Sequence, residues 1–211
     1  MISLFIDTSS SCLNIALLKD NNIIKVKSIL LGKDLSKEAL YEIKCLIESA
    51  NLKPNDIDRV VCVSGPGSFT GLRVGVTISK VFCFSLNKQL YSLSTLSFMA
   101  SSIKDSDYIV PVIDARRNFV YAGIYDKNYK SVLSDRYIGI NKLKEEVSLL
   151  KGKITFVSMD NFDDLDVVKF VPDVSNTFKN IPLVLENHFM FEPKYLKLTE
   201  AEENLNNGSG N

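Results

Sequence analysis

The chain has 211 residues, enough for one large domain or two small ones, and its 45% apolar and 24% charged residues are typical of a globular protein. Lysine plus arginine and aspartate plus glutamate balance at 25 each. This balance argues against strong autonomous nucleic-acid binding, because neutralising phosphates requires basic residues in excess. No apolar run approaches the roughly 20 residues that span a membrane, so no membrane association is expected.

The first half of the chain alternates strand and helix signals. Residues 2–7, 12–18 and 22–30 predict three strands joined by polar turns. Apolar residues at helical spacing then predict a helix over 35–50, with Asp34 or Ser36 as its cap. The remaining predicted elements of this half are a strand at 59–64, a helix at 69–86, a strand at 89–92 and a helix from 95 to about 103.

A polar stretch at 104–107 predicts a boundary between two subdomains, 1–103 and 104–199. Beyond it, the pattern predicts strands at 108–114, 118–126, 130–138 and 153–158, and a helix capped by Asn141 that runs to residue 150. Apolar pieces at 170–172 and 182–184 do not indicate a particular element. The composition of residues 200–211 predicts a disordered tail.

The two halves share a pattern that suggests duplication. Ile6-Asp7 and Ile113-Asp114, 107 residues apart, each end the first strand of a half and precede a hairpin. We therefore predict an α/β fold of two related subdomains, each a mixed sheet that opens with three strands and carries helices, with the second half reduced. A chance repeat of so short a pair is the alternative.

Cysteine and histidine leave few options for catalysis. The cysteines lie in apolar stretches without a C-x-x-C pair, which predicts buried free thiols and a reducing, cytoplasmic location. His188 is the only histidine, so a site with several histidine ligands is excluded, and we do not expect this residue to be a catalytic base.

A glycine-rich turn, Ser64-Gly65-Pro66-Gly67-Ser68, follows a strand and opens a helix. Such a helix N-terminus can bind phosphate, but the lysine of a P-loop is missing. Two interpretations stay open: a tight turn shaped by Gly65 and Gly67, or a nucleotide contact.

The helix after this turn carries a stripe of small residues at every fourth position. Each interior glycine costs a helix about 1 kcal/mol relative to alanine, so two on one face indicate close approach by another element. That element could belong to the same chain or to a partner. The stripe consists of Gly71, Gly75, Ser79 and Cys83.

Four segments resemble the bacterial TsaB (YeaZ) family, over about residues 1–197. They are Phe5-Ile6-Asp7-Thr8-Ser9, the run from Ser64 to Gly75, the run from Pro111 to Arg117, and Pro193-Lys194-Tyr195-Leu196. Lys197 stands where the family has arginine. The resemblance implies an actin-like (ribonuclease H-like) fold and a role in forming N6-threonylcarbamoyladenosine (t6A) beside the anticodon, in tRNAs that read codons beginning with adenine.

The resemblance further implies a non-catalytic subunit that binds the catalytic TsaD, with the ATPase TsaE joining them. It implies no cofactor of its own, with ATP or ADP and metal held by the partners, tRNA contact only through the complex, and a possible homodimer when alone. The contact would use the helices at 35–50 and 69–86, and the candidate interface residues are Leu40, Ile43, Ile47, Gly71, Leu72, Arg73, Gly75, Ser79 and Cys83.

The residues themselves also indicate that any nucleotide site in this chain is vestigial. Nucleotide-binding actin-like proteins use Asp-x-Gly hairpins, whereas the turns after Asp7 and Asp114 contain no glycine. The candidate residues of a vestigial site are Asp7, Thr8, Gly65, Gly67 and Asp114. The alternatives are an actin-like phosphotransferase or ATPase, in which Asp7 and Asp114 place magnesium, and a metalloprotease, for which ligands are lacking.

Overall fold

The computed structural model describes residues 1–197. The predicted tail at 200–211 lies outside the described residues. Within 1–197 the strands are β1 (Ile2–Asp7), β2 (Cys12–Lys19), β3 (Asn22–Leu30), β4 (Arg59–Val63), β5 (Gln89–Leu93), β6 (Tyr108–Asp114), β7 (Phe119–Asp126), β8 (Ser131–Gly139), β9 (Ile154–Ser158), β10 (Val167–Lys169) and β11 (Val184–Glu186). The α-helices are α1 (Leu35–Ser49), α2 (Phe69–Leu86), α3 (Thr95–Ala100), α4 (Ile140–Ser148) and α5 (Val174–Asn180).

Two mixed sheets with the same topology confirm the predicted duplication. In the first sheet, β1 lies between an antiparallel β2 and a parallel β4, giving the order β3-β2-β1-β4-β5 with β11 added at the end. In the second sheet, β6 lies between an antiparallel β7 and a parallel β9, giving β8-β7-β6-β9-β10. Asp7 and Asp114 therefore end equivalent central strands.

Three apolar clusters hold these layers together. One packs α1 and α2 on one face of the first sheet, and another packs α4 on the second sheet. The third lies between the halves, where Phe98 has its ring 5.1 Å from that of Phe5 and 5.3 Å from that of Phe170. Burial of rings of this size stabilises the contact between the halves.

The end of the described chain returns to the first half. β11 pairs antiparallel with β5, so a strand within 104–199 extends the first sheet. Division at residue 104 stays a prediction. The sequence missed β10, α5 and β11. It also placed the cap of α4 at Asn141, which is wrong because the helix begins at Ile140 after Gly139.

Helix α2 is long and apolar enough to cross a membrane by length and composition alone. Its small-residue side instead packs on β1 and β4, and Val76 and Cys83 belong to the core of the first half. Its ends match the prediction. The hydroxyl of Ser68 accepts a hydrogen bond from the amide of Gly71 at the start, and Asn87 adopts the left-handed conformation at the end.

Candidate functional site

A cleft of about 670 Å³, lined by both polar and apolar side chains, lies between the two halves. The turn after β1 and the start of α2 line one side, and the ends of β6, β9 and β10 line the other. Of the predicted vestigial site, the structure brings Gly67 and Asp114 to this cleft, whereas Asp7, Thr8 and Gly65 do not line it. Asp114 is exposed, and its amide donates to a carboxylate oxygen of Asp160.

Asp7 is buried behind the cleft with both carboxylate oxygens occupied. One oxygen accepts a hydrogen bond from the Ser9 amide at 2.9 Å, and the other accepts from the Asn14 side-chain amide at 2.8 Å. The side chain is 1% exposed. Burial raises the pKa of this carboxyl because desolvation penalises the charged form more than the hydrogen bonds favour it. Asp7 thus ties the first hairpin together.

The raised pKa of Asp7 predicts a particular pH dependence of stability. A carboxyl whose pKa is higher in the folded than in the unfolded chain costs stability once the pH exceeds the unfolded value. Relative to Asp7→Asn, the wild type should therefore lose unfolding free energy as the pH rises above about 4, by about 1.4 kcal/mol for each unit of elevation.

Urea unfolding at a series of pH values checks this expectation. The exposed Asp163→Asn variant controls for the general effect of removing a negative charge. A difference between wild type and Asp7→Asn that does not change with pH would contradict the buried, desolvated carboxyl.

The glycine turn before α2 packs against its own chain. A Cβ at Gly65 would lie 2.6 Å from the carbonyl oxygen of Lys194, and one at Gly67 would lie 2.3 Å from that of Ser9. The amide of Ser68 donates to the same Ser9 carbonyl at 2.7 Å. These contacts favour the tight-turn interpretation, because close backbone approach accounts for both glycines.

The small-residue stripe of α2 also faces the chain's own core. A Cβ at Gly71 would lie 2.1 Å from the Thr8 carbonyl oxygen, and one at Gly75 would lie 2.3 Å from the Thr8 hydroxyl. That hydroxyl donates to the Gly71 carbonyl at 2.7 Å. Ser79 and Cys83 are completely buried. The prediction that these four residues form a partner interface is therefore wrong, because β1, the turn after it and β4 already occupy that face.

Leu72 is a further correction. It is 1% exposed and lies beneath the glycine turn, where its Cδ1 would be 3.1 Å from a Cβ at Gly65. A side chain this buried contributes to folding rather than to a contact with another chain.

An apolar groove of about 700 Å³ runs between α1 and α2 on the outside of the first half. Of the predicted interface residues, Leu40 lines its wall and is 61% exposed. Ile43 and Ile47 also line the groove, but at 2% exposure each they belong, like Leu72, to the core rather than to an exposed surface. Helix α2 contributes Val81, which is 58% exposed. Val81 is not among the predicted interface residues, although a helix that is apolar on nearly every side is expected to carry exposed apolar residues as well as buried ones.

Arg73 is exposed but engaged by the C-terminal segment. Its guanidinium lies 3.9 Å from the centre of the Phe69 ring, and its Nε donates to the hydroxyl of Tyr195 at 3.1 Å. The rings of Phe69 and Tyr195 stack at 5.3 Å. The Lys194 amide donates to the Ser64 carbonyl, so the C-terminal segment packs against the turn and the first residues of α2.

Two further groups of side chains bear on the chemistry open to the described residues: potential metal ligands and cysteine thiols. Within residues 1–197, no group of three or more histidine, cysteine, aspartate or glutamate side chains lies close enough to hold a metal ion. Burial raises the pKa of Cys62 to about 12 and that of Cys83 to about 11, so both thiols stay protonated. The predicted burial holds for these two, whereas Cys12 and Cys45 are partly exposed.

The repeated sheets and the cleft between them define an actin-like ATPase-type fold. Two solved structures share it: a Pseudomonas aeruginosa protein described as similar to peptidase YeaZ (TM-score 0.72, 18% identity, 93% of this chain and 99% of that one), and YeaZ from the same organism (0.71, 18%, 92% and 99%). At this identity the likeness concerns the fold alone.

Sequence comparison gives the family. The model described as "TsaD: tRNA N6-adenosine threonylcarbamoyltransferase" matches residues 30–204. The Bacillus subtilis tRNA threonylcarbamoyladenosine biosynthesis protein TsaB is 35% identical, over 96% of each chain. An uncharacterised Mycoplasma pneumoniae protein is 27% identical, over 92% of this chain and 94% of the relative. The chain belongs to the TsaB (YeaZ) family.

Proposed function

We propose that this chain is a non-catalytic subunit required for t6A formation in tRNAs that read codons beginning with adenine. It acts in the cytoplasm by binding and supporting the catalytic subunit TsaD, and the ATPase TsaE joins the pair. Membership of the TsaB family supports the pathway. The single observation that carries the non-catalytic role is the state of Asp7.

A carboxylate that positions magnesium beside phosphate needs a free oxygen directed at the ligand. Asp7 ends the strand where such a group would stand, yet both its oxygens accept hydrogen bonds from Ser9 and Asn14, and its side chain is buried. The hairpin has serine and threonine where close approach of phosphate to backbone would require glycine. This state of Asp7 supports the proposal that nucleotide and metal are held by the partner subunits.

The groove between α1 and α2 is the proposed contact for TsaD, or for a second copy when the chain is alone. Apolar side chains line nearly all of it, and a groove of this kind on a protein surface is typical of a protein–protein interface. The TsaD family model matches residues 30–204 of this chain, so the proposed pair would consist of two proteins of related sequence. Two related subunits can present equivalent helices to each other across a pseudo-twofold interface.

Reconstitution tests this function. TsaD and TsaE with substrates but without this chain should form no t6A, and adding the chain should restore it. The purified chain alone should not hydrolyse ATP. Asp7→Ala destabilises the hairpin, so Asp114→Asn, at an exposed position in the cleft, is the better variant for activity and should support modification fully. ATP turnover by the chain alone, lost in Asp114→Asn, would establish the ATPase alternative.

A further inference from the structure

Three aromatic rings form a row on the second sheet, away from the groove. Tyr121 on β7 lies directly opposite Tyr137 on β8, with their ring centres 5.7 Å apart. Phe119 stacks on Tyr137 at 4.6 Å with the planes only 9° from parallel. Phe119 thus ends the row, and it is 39% exposed.

The row occupies the face of β7 that α4 does not cover. Val120 and Ala122 alternate with the rings and are buried in the core under α4. Tyr121 reaches the cleft between the halves and lines it. The rings therefore form a surface that continues from the outer edge of the second sheet into the cleft.

Positively charged side chains lie close to this row of rings. Arg116 and Arg117 occupy the exposed turn immediately before Phe119, both with positive φ, and the Nζ of Lys197 lies 5.5 Å from the Tyr137 ring centre. Two of the acids nearby accept hydrogen bonds from within the chain. Asp114 accepts from the Arg116 amide, and Asp135 accepts from the hydroxyls of Ser94 and Tyr125.

We propose that Phe119, Tyr121 and Tyr137, with Arg116, Arg117 and Lys197, form a stacking platform for unpaired RNA bases. Aromatic rings on a sheet accept bases of any sequence by stacking, and flanking cations meet the phosphates. The inference rests on the proposed function for its natural ligand, a tRNA with an unpaired loop. Because the chain has no net charge, it binds RNA weakly alone, and the platform acts mainly within the complex.

The rings also serve local packing, since cross-strand aromatic pairs stabilise a hairpin. Packing alone explains the contact between Tyr121 and Tyr137. It does not explain why the most exposed ring ends the row next to two exposed arginines in a turn. The two roles differ in one respect that can be measured: only the platform requires the rings to respond to RNA.

Aromatic NMR signals of the full chain provide the test. At low ionic strength, a single-stranded RNA of about eight nucleotides is expected to shift the Phe119, Tyr121 and Tyr137 ring signals. Phe119→Leu should weaken binding about fivefold or more. Phe189→Leu, at a 72% exposed position in the C-terminal segment, is the matched control and should bind normally.

Three results would overturn the platform: no ring shifts with the single strand, equal shifts with a duplex of the same length, or normal binding by Phe119→Leu. Ring shifts caused by TsaD but not by RNA would assign the surface to a protein contact instead. In the reconstituted complex, Phe119→Leu should raise KM for tRNA and leave kcat unchanged. Failure of the proposed function would give a different result from failure of the platform, because the wild-type chain would then not restore t6A at any tRNA concentration.

Discussion

Gly71→Ala is expected to lower the free energy of unfolding by about 3 kcal/mol, although alanine favours a helix by about 1 kcal/mol over glycine. The added Cβ would lie 2.1 Å from the carbonyl oxygen of Thr8. This atom is backbone directly after β1, and Thr8 is 1% exposed, so the atom cannot move aside without disturbing the sheet. Urea unfolding followed by circular dichroism measures the loss.

Gly139→Ala is the matched control for this substitution. Gly139 has a φ of −66°, and the nearest atom to an added Cβ is Cε1 of Phe119 at 4.0 Å. Its unfolding free energy should stay within about 0.5 kcal/mol of wild type. Equal losses at positions 71 and 139 would contradict the packing of α2 on Thr8. At Gly75 the nearest atom is the Thr8 hydroxyl, the tip of a side chain, so Gly75→Ala should cost less than Gly71→Ala.

The stripe illustrates what sequence could establish about this site. Small residues at every fourth position of α2 correctly indicate close approach by another element. They do not identify that element, because the contact atoms belong to Thr8, 63 residues earlier than Gly71. Only the sheet order, which brings the end of β1 beneath α2, decides between an internal contact and a partner.

The main architecture was predictable because its elements carry strong local signals. Helix α2 spans Phe69–Leu86 as predicted, since Ser68 caps its start and an apolar pattern runs to its end. The repeated Ile-Asp strand ends predict two equivalent sheets, and both are present.

The C-terminal elements lack such signals. β10 and β11 have three residues each, too few to show alternation. The C-terminal elements are stabilised by contacts with residues distant in sequence. β11 pairs with β5, and in α5 the hydroxyl of Thr177 forms a hydrogen bond with that of Ser101. Contacts of this kind cannot be inferred from local pattern.

The groove between α1 and α2 supports the second large expected effect. Leu40→Glu and Val81→Glu should each weaken association with TsaD by about 100-fold or more, because a charge in the apolar centre of an interface must be desolvated without a partner. When this chain is present at a limiting concentration, the formation of t6A should fall in proportion to the lost association. Since Leu40 and Val81 are 61% and 58% exposed in the isolated chain, folding should be unaffected. Calorimetric titration with TsaD and a thermal melt measure the two quantities separately.

Matched controls on the second half separate a local effect from a general effect of added charge. Leu149→Glu and Val132→Glu place the same charge at positions 80% and 52% exposed, outside the groove, and should bind TsaD normally. If Leu40→Glu abolishes self-association but leaves TsaD binding intact, the groove is a homodimer contact and the TsaD assignment is wrong. Gly71→Ala completes the comparison: it should impair binding only at temperatures where it unfolds the chain, because the stripe faces Thr8 and not a partner.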